Sequence, residues 1–527
     1  MAGIGDRSPA WEEQADMVRL PNALMGGTWA MRRARTEYLP RKLEEDSGEY
    51  EQRLRCASLD NFFMRTVNSY LGQVFQKDVA VHEPLGGTSY DPAFFEAFRE
   101  DVDLAGGSLT AFSRRVFRNG LVDGVSFVAV DHPRLSTRET ASGGLEYLAP
   151  DGAWRPKTPD ADRALNMRPY FVSVKASQVL DAYRDVFGGR VSLRHFRYEE
   201  LVEEPLDGDG LTRSGARRIV AWWPDRWETW TVGGREGSVM TGSGRNPLGE
   251  IPVAVFMPGE PRESLTAYPP LGDLAELNRV YWDATSDHDN RLMRFVRSPA
   301  FLARCLGLSD RERVPLGPSR IISTEKPDAD LRSVGVDAAS AANSASDLDG
   351  KRESMREYGL QALKAHVTAT ISENAAAAAA SSLKGWCSAF KDCLENALRL
   401  AARWNGWDDG PAVDVNTRFR YGMDLNLLNW LSRSVMPNGP IRPEHMVECY
   451  RMMQFNTDEY SLEDILDPGY RKGLEAQAAA AAFLGPGGDG EPDGLAGASP
   501  AEPGETRGRP PGELRAAEIQ KEMKTAG

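Results

Sequence analysis

The stretch SSLKGWCSAFKDCLENALRLAARW, residues 381–404, constrains the fold more than any other. Leu383, Trp386, Cys387, Phe390, Leu394, Ala397, Leu398, Ala401 and Trp404 recur at three- and four-residue steps, while Lys384, Lys391, Asp392, Glu395 and Arg403 fall on the opposite side. That spacing predicts a helix of about six turns with one buried face, so other elements must pack against it. Six consecutive alanines, Ala375 to Ala380, stand directly before it. With 527 residues the chain is too long for one ordinary core, and two to four packed units are expected.

The period changes along the chain. In SLDNFFMRTVNSYLGQVFQKD, Leu59, Phe62, Phe63, Val67, Tyr70, Leu71 and Val74 line one face of a helix. A second helix is expected to open at Asp91, with Pro92 at its first position. In NGLVDGVSFVAVDHP, Gly120 reads as a helix stop and Val125 to Val130 as a buried strand ended by Asp131 and Pro133. RPYFVSVKASQVLDAYR, RIVAWWPDRWETWTV and NPLGEIPVAVFMPGE continue in strands. Trp222, Trp223, Trp227 and Trp230 read as sheet packing rather than a base-stacking platform, because Asp225 and Glu228 interleave with them where such a platform needs basic neighbours.

From Pro269 the chain is helical again. Leu274, Leu277, Tyr281, Ala284 and His288 are spaced as a narrow seam, with His288 a seam residue rather than a ligand. A strand-and-turn insert follows Pro299, then a weaker helix interrupted by Gly359. Two shorter helices are expected around the Asn438-Gly439-Pro440 turn, and the Pro/Gly-rich segment from Gly485 is too poor in apolar residues to fold alone.

The chemistry is sparse. Cys56, Cys305, Cys387, Cys393 and Cys449 are odd in number and form no CxxC pair, so they read as reduced thiols. The six histidines show no HExxH or HxH spacing, and no metal or cofactor is expected. The acid pairs Asp207/Asp209, Asp347/Asp349 and Asp408/Asp409 sit beside glycines and read as solvated turns, since the full calcium-loop spacing is absent. Gly-rich residues 233–245 read as a hairpin loop, because no helix follows to receive a phosphate. There is no GxxxxGK[ST] and no GxSxG. A net charge of -14 argues against tight nucleic-acid binding, although a protein that DNA merely passes through gains from weak adhesion. Hydrophobic content of 41% and a mean hydropathy of -0.46 fit a water-soluble chain, and no run of about 18 apolar residues suggests a membrane span. The N-terminus lacks the pattern of a secretory signal, so the chain is expected to stay in the cytosol of the cell that makes it.

Residues 24–79, with Tyr38-Leu39-Pro40, Tyr50, Arg53 and the helix ending Tyr70-Leu71-Gly72-Gln73-Val74-Phe75, resemble the opening of a branch of tailed-bacteriophage portal proteins. GVSFVAVDHP, RPYFVSV, NPLGEIPVAVF and YPPLGDLAELN follow in the order of that family's successive signatures, and the resemblance covers roughly residues 20 to 470. It implies an α+β subunit: an N-terminal wing (1–268), a first stem helix (269–297), a clip (298–340), a second stem helix (341–369), an Ala-rich tunnel-loop segment (370–382), a long wing helix (383–409), a C-terminal wing and short crown (410–484) and a disordered tail (485–527).

The implied function is structural and non-enzymatic. A ring of roughly twelve copies would sit at one capsid vertex of the virion, assembled in the host cytoplasm, and conduct double-stranded DNA without sequence specificity. Partners implied are the terminase large subunit, head-completion, adaptor and tail proteins, and capsid or scaffold protein, with no membrane. Arg291, Arg294, Arg297, Lys351, Arg352, Lys364 and His366 are candidates for the channel wall or for bridges between subunits to acids such as Asp287 and Glu353. Ser372, Glu373, Asn374, Ala375, Ala377 and Ala378 mark the tunnel segment, where short side chains let copies crowd around DNA without clash. Two alternatives remain open at this point: a metal-dependent DNA-processing enzyme built on converging Asp pairs, and a capsid adaptor that forms no ring.

Overall fold

The computed structural model describes residues 3–417 except 44, 84–90, 134–136, 141–144, 149–151, 157, 159–164, 188–189, 206–212, 233–237, 293–299, 305–327, 329, 335–337 and 360–370. All described residues belong to the first of two compact units, Met1–Asp424 and Leu425–Gly527. The helices expected between 410 and 484, the tail, and the Asp207/Asp209 pair lie outside them.

The fold is α+β. Seven helices open it: α1 (Pro9–Met17), α2 (Arg19–Met25), α3 (Gly27–Ala34), α4 (Ser47–Cys56), α5 (Phe62–Val74), α6 (Pro92–Glu100) and α7 (Leu109–Asp123). Their starts follow the chain's capping chemistry. Asp46 and Glu49 form a reciprocal capping box on α4, and the Asn61 side chain accepts from the Met64 amide at 2.9 Å on α5. Asp91 accepts from the Ala93 and Phe94 amides ahead of α6, as expected for an Asp-Pro start. The buried face of α5 holds Phe62, Phe63, Val67, Tyr70, Leu71 and Val74 of the predicted set, whereas Leu59 lies ahead of the helix and is only partly buried.

Gly120 does not end its helix. α7 runs on to Asp123, and Gly124 ends it in the left-handed region at φ 81°. Gly120 is required for a tertiary reason: a Cβ there would stand 2.5 Å from the Phe256 ring.

Strands then alternate. β1 (Ala80–His82) pairs with the last strand, β17 (Ala412–Asp414). β2 (Ser126–Asp131), the expected strand, lies between β6 (Tyr170–Lys175) and β12 (Val253–Phe256), all antiparallel. A small sheet contains β3 (Thr137–Glu139), β4 (Leu145–Leu148) and β5 (Trp154–Pro156). β7 (Val179–Phe187), β8 (Arg190–Pro205), β9 (Arg213–Trp222), β10 (Arg226–Val232) and β11 (Ser238–Arg245) form an antiparallel meander in chain order. A short pair, β13 (Glu260–Pro261) and β14 (Ala267–Tyr268), precedes the helical remainder.

β2 is buried on both faces, and its alternation sorts two cores. Val128 and Val130 point into a helical core, while Phe127 and Ala129 join Trp11, Phe196, Tyr198 and Trp222 against the meander. The tryptophans pack on the sheet as expected: Trp222 is buried and lies opposite Trp227 in the β9–β10 register. The Gly-rich segment proves to be strand from Ser238 onward rather than loop. The Trp227 ring lies across Gly244, where a Cβ would approach it to 2.7 Å, so the glycines make room for the indole.

α8 (Gly272–Leu292), β15 (Ala300–Arg304), β16 (Asp330–Val334), α9 (Ala338–Gly359) and α10 (Ile371–Trp404) complete the order. α10 buries Leu383, Cys387, Phe390, Leu394, Ala397, Leu398 and Ala401 of the predicted face, with Trp386 and Trp404 only partly buried beside them. Phe390 is its centre, with ring centroids 4.9 Å from Phe256, 5.2 Å from Phe117 and 6.2 Å from Phe75. Burial pushes the Cys387 thiol up to about 12 and raises that of Cys393 as well, so neither is a reactive thiolate at neutral pH.

Candidate functional site

The region that projects chemistry from this scaffold is the helix pair α8 and α9. They run antiparallel: the Arg352 guanidinium donates to the Tyr281 hydroxyl at 2.9 Å, and seven residues further along α8, His288 Nδ1 lies 3.1 Å from Ser344 Oγ. Leu348 and Met355 of α9 are buried against the helical core. Between the helices in sequence, β15 and β16 pair from Ala300 with Val334 to Arg304 with Asp330 as a two-stranded antiparallel hairpin.

The buried stripe of α8 differs from the predicted seam. Leu274 and Tyr281 are buried as expected, but Leu277 is 37% exposed, and Asn278 takes the inner place at 0%. A polar residue belongs there because the start of α5 leaves amides unpaired. Asn278 Oδ1 accepts from the Phe63 amide at 3.0 Å, and its Nδ2 donates to the Asp60 carbonyl at 3.0 Å. Leu277 and Val280 face outward instead. His288 is a seam residue against α9, as its position suggested.

The second half of α8 is tied to the N-terminal helices by charge. Arg53 on α4, with its side chain 1% exposed, grips Glu45 through both carboxylate oxygens at 2.8 Å. It also donates to Ser286 Oγ at 3.0 Å and to the Pro40 carbonyl at 2.7 Å, and stands 3.6 Å from Asp283 and 3.9 Å from Asp287. Lys42 bridges the same two aspartates at 3.0 Å each. Burial works against the Arg53 charge, but the Glu45 hydrogen bonds and the surrounding carboxylates outweigh it and hold its pKa above the ordinary value. Lys42 is raised on the same balance, by Asp287 and Asp283. Three segments, residues 40–45, α4 and α8, are thereby locked together. Sequence reasoning named Arg53 only as part of a motif. The available signal was an arginine sharing the α4 face of Tyr50 and Leu54, where a charge requires a buried partner.

The expected site residues separate into described and undescribed ones. Arg294, Arg297, Lys364 and His366 lie outside the described residues, and Arg291 is described only as backbone in α8. Lys351 and Arg352 pair within their own helix, with Asp347 and with Asp349 at 3.6 Å. The acids expected as partners in a neighbouring copy are already engaged: Asp287 with Lys42, and Glu353 with Arg356 at 3.1 Å. Asp347 and Asp349 sit inside α9 rather than in a turn, because these i,i+3 and i,i+4 cations support the helix across Gly350. Ser372, Glu373, Asn374, Ala375, Ala377 and Ala378 are helical backbone continuous with the rest of α10, in keeping with alanine's standing as the best helix former. Among the described residues no three His, Cys, Asp or Glu side chains are grouped to hold a metal, and no helix is long and apolar enough to cross a membrane.

Residues 270–405 match a family model described as a domain of unknown function (DUF4055). The matched span begins two residues before α8 and ends one residue after α10, so it encloses the paired helices, the hairpin and the long helix as a single unit. No curated protein matches the chain.

Proposed function

We propose that the chain is the subunit of a portal ring of a tailed bacteriophage, a structural protein through which double-stranded DNA enters and leaves the capsid. The observation that carries the proposal is the order α8, β15–β16 hairpin, α9, α10, the order that a stem, clip, stem and long wing helix would have in the family that the sequence resembles. A family model that spans this unit alone supports treating it as one functional module. In this reading residues 1–268 form most of the wing and 410–484 the remaining wing and crown, with roughly twelve copies in the ring.

The chemistry of the reading is mechanical. The Arg53 network ties the second half of α8 to α4, so axial load from moving DNA would pass into the wing core rather than bend the helix pair. Negative net charge and locally paired cations on α9 leave few groups to grip phosphates, as a conduit requires. The alanines at 375–380 let neighbouring copies approach the axis closely. Terminase would drive DNA from outside, and head-completion and tail proteins would dock on the hairpin end.

Negative-stain images of the purified chain test this reading. Closed rings around an open centre are expected; fields of single small particles over a range of concentration and salt would overturn it.

A further inference from the structure

A second feature lies away from the helix pair, in the cleft between α2, α7 and the end of β6. A cavity of about 280 Å³ is lined there by Asn22, Met25, Arg118, Asn119, Val122 and Lys175. Arg118 and Lys175 are both half-buried, and neither makes an ion pair among the described residues. Most other half-buried cations of the fold, such as Lys42 and Arg218, are matched to carboxylates. Two partly desolvated cations facing one polar hollow are costly without a counter-charge.

The remaining groups define the sign and shape of that counter-charge. Asn119 is only 5% exposed; its Nδ2 lies 3.3 Å from Ser173 Oγ and keeps a second hydrogen to donate. The nearest acid, Asp123, does not line the cavity. Asn22 stands over it, donating to Asp123 Oδ1 at 2.7 Å and to the Val18 carbonyl at 2.8 Å. Burial raises the Asp123 carboxyl to about 6 even with Lys175 and Arg118 nearby, so at neutral pH it supplies one negative charge from below against two positive ones. A guanidinium, an ammonium and a side-chain amide lining one hollow are donors suited to a tetrahedral oxyanion.

We propose that this cleft binds a phosphate group, held by Arg118 and Lys175 with Asn119 donating a third hydrogen bond. The group is either free inorganic phosphate or a phosphate of a DNA backbone, and the two are separable by experiment. The inference concerns a single subunit and stands whether or not the chain forms a ring.

The test is titration calorimetry of the full-length protein with inorganic phosphate at matched ionic strength, repeated in the presence of a short duplex DNA. Saturable phosphate binding is expected, weakened about tenfold or more in Arg118→Gln and in Lys175→Met, each of which removes one charge-assisted contact. Loss of phosphate binding when duplex is added identifies the DNA backbone as the source; undiminished binding identifies free phosphate. Arg118 and Lys175 are only half-buried and form no ion pair among the described residues, so both variants should keep the wild-type circular dichroism spectrum, and Arg118→Glu provides a third, repulsive variant. Absence of saturable binding in the wild type, or equal affinity in all three variants, would overturn the proposal.

Discussion

Replacing Arg53 with methionine removes the group that ties the second half of α8 to α4. Methionine keeps most of the volume, so packing loss is small and the effect is electrostatic. Glu45, with its side chain 5% exposed, would lose both guanidinium hydrogen bonds, and the Pro40 carbonyl and Ser286 hydroxyl would each lose a donor. Breaking a buried ion pair from one side costs about 3–5 kcal/mol, because the remaining charge stays desolvated. The companion variant Arg53→Met/Glu45→Leu removes both charges and should recover about 2 kcal/mol or more of that loss, since the two residues act as one unit. Urea denaturation of the wild type, both single variants and the double variant gives the coupling directly. A cost below about 1 kcal/mol for Arg53→Met, the level of an exposed pair, would refute the reasoning, as would simple additivity of the two single substitutions.

Other expectations follow from the same geometry. Asp123 has a folded pKa raised to about 6 from an ordinary 3.8, so its contribution is most favourable below the lower value and is lost as pH rises through the upper one. Above pH 6 the folded state therefore carries a cost of about 3 kcal/mol, and Asp123→Asn should exceed the wild type in stability at pH 7.5, with the difference vanishing near about pH 4 in denaturation curves. Phe390→Ala, at the meeting of α10, α7 and β12, should cost about 3–5 kcal/mol in the same assay. Gly244→Val forces the Trp227 ring off the β10–β11 hairpin and should cost about 1–3 kcal/mol, with a measurable change in tryptophan fluorescence. Ala377→Leu with Ala378→Leu changes helix propensity little, so subunit stability should be preserved while ring assembly fails in sedimentation; unchanged rings would remove the crowding explanation of the alanines.

Much of the scaffold could be read from the chain because burial on one face imposes a period. α5 and α10 declared themselves through three- and four-residue spacing, and β2 through a continuous apolar run that only a strand buried on both faces needs. Where the reading failed, the cause was tertiary. Gly120 looked like a helix stop, but the approach of Phe256 from another element demands it, and the stop is Gly124. Asn278 displaced Leu277 from the inner face of α8 because α5, more than two hundred residues earlier, presents an unpaired amide. The Arg53 network joins residues 42, 45, 53, 283 and 287, and no local pattern reports such a convergence. The acids Asp287 and Glu353 carried no sign that partners within the same chain would claim them first.

The central claim is that this subunit closes into a ring, and native mass spectrometry of the purified protein tests it most directly. The account predicts one dominant species of roughly a dozen chains, each of 58.1 kDa. A stable monomer or dimer across protein concentration and ionic strength would contradict it.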